Sequence, residues 1–217
     1  QDASRASTRR SGIRFRFDGP PICSRQPTLE VGSSGSGWAV AVLDTGVDSA
    51  HPFLAGKVVA EACYSTTSAL NDSQSLCPGG TASSTVSGSA FPCATYCDHG
   101  THVAGIAAGG TRATDGSHGV AKDAGVIAVQ VFSLFPNYYG TGSGAVLSYT
   151  SDQIKGLERV YELRGTYNIA SVNMSLGGST AYSSACDSYY SGTKAAIDNL
   201  RSVGIATVIA AGNNGWK

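Results

Sequence analysis

Two side chains stand out for what they could do together. Asp44 closes the apolar run in VAVLDTGVDSAHP (Val40 to Pro52), and His99 opens HGTHVAGIAAG (His99 to Gly109). An acid at the tip of a buried strand is costly unless something engages it, and an imidazole is the group most readily tuned by such an acid near neutral pH. A third polar residue, Asn213, lies in AAGNNG (Ala210 to Gly215), where small residues imply that something approaches the backbone closely.

An Asp-Thr-Gly tip fits three chemistries. A pair of such loops sharing a proton on a mostly β fold would make an aspartic peptidase, but this chain has one such loop on an alternating pattern. A phosphoryl-accepting aspartate would want a second acid two residues on, where Gly46 stands; Asp48 is four residues on, and neither a phosphate loop nor a partner-lysine motif accompanies it. That reading is kept as an alternative. The remaining chemistry is an acid orienting a histidine, and CDHGTH supplies the histidine.

The elements that must position these groups follow a strand–helix rhythm. WAVAVLD, KVVAEACY (57 to 64), GVIAVQVF (125 to 132), NIASVNMSL and GIATVIAAG are short apolar runs bounded by turn residues, as expected of buried strands. Between them, HGTHVAGIAAG reads as a helix of small residues packed in little room. Residues 148–164 carry Ile154, Leu157, Val160 and Tyr161 at helical spacing, and SGTKAAIDNLRSV forms a further helix. The alternation predicts an α/β fold: a parallel sheet with helices on both faces, whose functional groups collect beyond the carboxyl ends of the strands. Asp44, His99 and Asn213 all fall at that edge.

The 217 residues suit one large domain, with residues 1–37 as a basic, irregular N-terminal arm and 38–217 as the domain proper. GSSGSG precedes a strand rather than following one, the wrong order for a phosphate loop. Lys plus Arg and Asp plus Glu number 15 each, so no charge excess points to nucleic acid or an anionic membrane. No apolar run reaches the roughly 18 residues of a membrane span. The chain begins at Gln1 with no initiator Met or signal peptide, as a processed protein would.

Six cysteines, four of them between Cys63 and Cys97, suit an oxidising, extracytoplasmic setting. Proximity pairs Cys93 with Cys97 and Cys63 with Cys77, leaving Cys23 and Cys186 for each other. Reduced thiols are the bland alternative, and C-x-x-x-C lacks the paired knuckles of a structural zinc site, so no metal site is assigned.

Taken together, VAVLDTGVDSAHP, HGTHVAGIAAG, NMSLGG (Asn173 to Gly178) and AAGNNG resemble, in order, the motifs of the subtilisin-like serine peptidases, or subtilases. The resemblance extends from about Trp38 to the end and implies a subtilisin-like fold and serine endopeptidase activity on polypeptide substrates. It implies Asp44 as the acid that orients His99, His99 as general base, and Asn213 as side-chain donor to the oxyanion. It implies that Ser175, Leu176, Gly177 and Gly178 form a strand for substrate, with Gly142, Ser143 and Gly144 as the opposite cleft wall. His102 becomes a structural helix residue, His51-Pro52 a packed turn, and His118 is expected at the surface.

Two departures accompany it. The family's nucleophile lies in a Gly-Thr-Ser-Met-Ala-x-Pro segment well after the oxyanion Asn, and the chain stops four residues after Asn213. GTKAA (Gly192 to Ala196) has Lys194 in the serine's place, on an expected surface helix. The nucleophile is therefore expected on a missing C-terminal segment or companion chain, with a non-catalytic peptide-binding relative as the alternative. Phe53 stands where many subtilisins carry a calcium-binding acid. No cofactor is assigned; calcium at an unidentified site, through Asp115 or Asp72, stays open.

Overall fold

The computed structural model describes residues 3–5, 33–178 and 180–215. Its centre is a six-stranded sheet in the order β10-β9-β2-β6-β3-β5. The strands are β2 (Ala39–Asp44), β3 (Val58–Tyr64), β5 (Ser83–Ser84), β6 (Gly125–Gln130), β9 (Ile169–Met174) and β10 (Ala206–Ile209). All pairings are parallel except the short β5 on β3.

The two-residue period of a strand divides β2 between two cores. Ala39, Ala41 and Leu43 join Ile127, Val129 and Val172 in the larger core, under helices α2 (Thr150–Leu163) and α3 (Ser191–Ser202). Val42 points the other way, with Val126 and Ala128, against Ala104 and Ala108 of helix α1 (His99–Ala108). Helices thus lie on both faces, and the central strands β2 and β6 read continuously apolar because neither of their faces meets water. The next residue on the α1 face of β2 is Asp44.

Helix α1 can approach because Gly100, Ala104, Gly105 and Ala108 present almost no side chain to the sheet. A Cβ on Gly109 would stand 2.2 Å from the Phe53 ring, and one on Gly105 3.3 Å. The turn after Asp48 therefore packs through Phe53. His51, expected to be packed, is exposed instead, and its Nδ1 accepts the Phe53 N–H at 3.2 Å.

A second, antiparallel sheet departs from the expectation. It runs β1-β8-β7-β4, from β1 (Ala3–Arg5), β8 (Ala145–Tyr149), β7 (Ser133–Phe135) and β4 (Gln74–Ser75). β8 takes the residues predicted to start a helix near 148, so α2 begins at Thr150. The stretch 65–97, predicted as a loop, contributes β4 and β5. Ala3–Arg5 of the arm lies antiparallel along β8, opposite Leu147–Tyr149.

Disulfides join Cys63 to Cys77 and Cys93 to Cys97, as proximity predicts. Cys186 is half-buried, and its expected partner Cys23 lies outside the described residues.

Candidate active site

Asp44 is fully buried at the carboxyl end of β2, the strand held between β9 and β6. An isolated buried carboxylate would be prohibitive, so its partners decide its state. His99 Nδ1 lies 2.8 Å from Oδ1 and 3.0 Å from Oδ2, and the Thr45 N–H donates to Oδ1 at 2.7 Å. A carboxylate accepts, so the His99 proton sits on Nδ1 and Nε2 is left as the basic nitrogen. The hydrogen bond to Asp44 raises the His99 pKa above its ordinary value; burial opposes this and the charges of Asp44 and Asp98 add to it. The His99 side chain is 36% exposed, so the ring is reached from solvent while its acid is not.

The local chain dictates this contact. Gly46 turns the backbone with φ +102°, and a Cβ there would meet the Ala90 carbonyl at 2.6 Å. The turn is held by Val47 N–H to Ala90 O at 2.8 Å and Asp48 N–H to Thr101 Oγ1 at 2.9 Å. Gly100 follows His99 where a Cβ would meet the Gly46 carbonyl at 2.2 Å and Asp44 Cβ at 3.0 Å. Only glycine lets the first turn of α1 settle this close to the Asp44 turn.

Of the other predicted residues, Ser175–Gly178 and Asn213 follow strands of the same sheet, while Gly142–Gly144 belong to the second sheet. The register sets Asp44 beside Gln130 of β6 and Val42 beside Asn173, so Ser175 follows β9 at about the level of Asp44. Asn173 Nδ2 donates to Ser175 Oγ at 2.9 Å. Leu176 turns its side chain into the large core, while Gly177 and Gly178 face outward to increasing degrees. Asn213 follows β10, two strands from β2 on the same edge, and is exposed. Gly142 and Ser143 are exposed at the tip of the β7–β8 hairpin, with Gly144 half-buried. Asn137 ties that tip down: its Oδ1 accepts the Gly142 N–H at 3.0 Å and its Nδ2 donates to Asp72 at 2.9 Å.

One feature escaped the sequence. The outer edge of β8, Leu147–Tyr149, accepts an extended strand from the chain's own N-terminal arm. The only cue was AVLSY, which reads equally as a helix start.

His102 is exposed on α1, with its N–H donating to Asp98 O, and His118 is exposed, its Nδ1 donating to Gly119 O. Lys194 lies on α3, paired with Asp198. The two carboxylates open to calcium are engaged: Asp115 by the Ser117 N–H and hydroxyl, Asp72 by Asn137. Among the described residues no group of three or more His, Cys, Asp or Glu gathers as a metal cluster.

The family profile described as the Subtilase family matches residues 35–217. Thermitase of Thermoactinomyces vulgaris is 31% identical over 183 residues, 84% of this chain and 50% of that protein. An extracellular protease of Xanthomonas campestris pv. campestris is 31% identical over 189 residues, 84% of this chain and 30% of the relative. Among solved structures, S41 psychrophilic protease superposes with a TM-score of 0.59 at 27% identity, covering 85% of this chain and 48% of the other. Sphericase gives 0.58 at 27% identity, with 85% and 49% covered. The chain thus spans half or less of the length of these relatives. With its fold, its motif order and this match agreeing, the chain belongs to the subtilase family.

Proposed function

We propose that this chain is the acid–base part of a secreted serine endopeptidase. The observation that carries the reading is the His99–Asp44 pair, with Nδ1 held by a buried carboxylate and the ring open to solvent. In this mechanism His99 Nε2 removes the proton of a serine hydroxyl, whose oxygen attacks the scissile carbonyl. Asp44 stabilises the imidazolium without taking its proton. The Asn213 amide donates to the oxyanion of the tetrahedral intermediate. His99 then returns its proton to the leaving amine, and water resolves the acyl-enzyme by the same steps.

The serine is supplied by a segment outside these 217 residues. Uncovered apolar surface supports a companion there. On the α1 face, Val208 of β10 is 55% exposed and Ile106 of α1 is 71% exposed. Exposed apolar surface of this kind, on the free edge strand and on the helix that carries the base, calls for a further layer. An extended polypeptide substrate would pair with the backbone of Ser175–Gly178, with the Gly142–Gly144 turn and the edge of β8 as the facing wall. The occupancy of β8 by Ala3–Arg5 supports that edge as a peptide acceptor.

Secretion is supported by the two disulfides and by a relative named as an extracellular protease; among the described residues no helix is long and apolar enough to cross a membrane. A phosphoryl-accepting Asp44 is disfavoured, because its oxygens are taken by His99 and the Thr45 amide.

The test joins the chain to its C-terminal continuation and measures casein hydrolysis and labelling by a serine-directed phosphonate. Both should appear, and His99→Ala should abolish both. Hydrolysis by the 217-residue chain alone, lost with one of its own serines, would overturn the placement of the nucleophile. A completed protein that binds extended peptides without cleaving them would be a binding module.

A further inference from the structure

The residues on either side of His99 are tied to a hydroxyl on the Asp44 strand. Thr45 Oγ1 donates to the Cys97 carbonyl at 3.1 Å and accepts the Gly100 N–H at 3.0 Å. Thr45 is fully buried, so neither bond is exchanged for water at no cost. Its own N–H holds Asp44 Oδ1 at 2.7 Å. One residue thus grips the acid through its backbone and both flanks of the base through its side chain.

The acceptor is itself fixed from the other side. Cys97 is buried and closes the ring with Cys93, four residues earlier. Within that ring Tyr96 adopts φ +72°, a left-handed conformation that a non-glycine residue keeps only where its surroundings enforce it. The ring therefore sets the direction of the Cys97 carbonyl just before His99, and the Thr45 hydroxyl carries that direction to Asp44.

We propose that Thr45, anchored on the disulfide-locked carbonyl of Cys97, is a positioning residue that fixes His99 against Asp44. The proposal rests on the reading of His99 as the general base. Thr45→Val keeps the shape of the side chain and removes the hydroxyl; Thr45→Ser keeps the hydroxyl and removes the methyl. Loss of the tether leaves the imidazole free to swing by a fraction of an ångström to an ångström, a displacement worth on the order of 10²-fold in rate.

The experiment uses the complete protein with ring-¹⁵N-labelled histidine. It follows His99 through a pH titration, and kcat and KM on a peptide substrate. Thr45→Val is expected to lower the His99 midpoint toward that of an ordinary imidazole and to reduce kcat about 10²-fold with KM little changed. Thr45→Ser is expected to retain both. Replacing Cys93 and Cys97 together by Ala should shift the midpoint in the direction of Thr45→Val. A wild-type midpoint in Thr45→Val, or a Thr45→Ser protein as impaired as Thr45→Val, overturns the proposal. Should Thr45→Val not fold, the protein lacking the disulfide decides, and an unmoved midpoint there overturns it. The titration needs no hydrolysis: a wild-type protein that cleaves nothing would sink the peptidase reading and leave the tether to be judged by the midpoints.

Discussion

His99 Nδ1 meets both oxygens of the Asp44 carboxylate, at 2.8 and 3.0 Å, across 55 residues of sequence. The near-equal distances centre the ring on the acid, so one proton on Nδ1 satisfies whichever oxygen is nearer. The Thr45 amide reinforces Oδ1. In the proposed mechanism a carboxylate held in this way acts on His99 through tautomer and orientation rather than through proton transfer.

Asp44→Asn tests that role. An amide of the same shape can present its NH₂ to Nδ1 and force the ring proton onto Nε2, the nitrogen that must accept. In the completed enzyme kcat should fall about 10⁴-fold while the fold is kept. Circular dichroism and a peptide-hydrolysis assay check the two halves of that statement.

The pH dependence has a definite sign. The bond to Asp44 lifts the folded-state value of His99 above the ordinary 6.5. Protonated His99 therefore adds stability that is fully present below about 6.5, the unfolded value, and is lost as pH rises through the folded one. In the proposed mechanism activity runs the other way, since His99 must be neutral to accept the serine proton. The acid limb of kcat/KM is expected above 6.5, and in His-detected NMR the His99 midpoint should coincide with it.

Gly100→Ala should be among the most damaging single changes available. Its Cβ would stand 2.2 Å from the Gly46 carbonyl, a backbone atom that no rotamer can move. Overpacking of this kind costs roughly 1–3 kcal/mol or more. Denaturant unfolding should show that loss, and the His99 resonance should move as α1 is pushed from the Asp44 turn.

Opening the Cys63–Cys77 bridge gives a different signature. It closes a loop of 14 residues' separation between β3 and the segment just after β4, so its loss should cost about 3 kcal/mol through the unfolded state. Replacing both cysteines by Ala and measuring the unfolding midpoint checks the size. Because neither cysteine touches His99 or Asp44, the His99 titration should stay where it was.

Much of this was legible in the sequence, and the reasons for the rest are local. The central strands announced themselves because burial on both faces makes β2 and β6 apolar runs broken only at their ends. Asp44 and His99 could be paired because one ends such a run and the other opens a helix of Gly and Ala. The antiparallel sheet was hidden, since its strands are two to five residues long and, apart from the β7–β8 hairpin, their partners lie far off in sequence: Ser75 beside Ser133, Arg5 beside Leu147. AVLSY also leads directly into α2, with no residue between Tyr149 of the strand and Thr150 of the helix. His51 was misjudged because its neighbour Phe53 fills the glycine-lined space on α1.

The placement of β2 between β9 and β6 has a consequence for how the site comes apart. A strand paired on both sides exchanges its amide hydrogens only when the sheet opens. The first turn of a free helix would fray sooner, but that of α1 is tied to the Asp44 turn through the hydroxyls of Thr45 and Thr101. Asp44 and His99 thus belong to one opening unit. On heating, the two should part only as the sheet gives way, so loss of the His99–Asp44 contact and loss of strand signal should coincide.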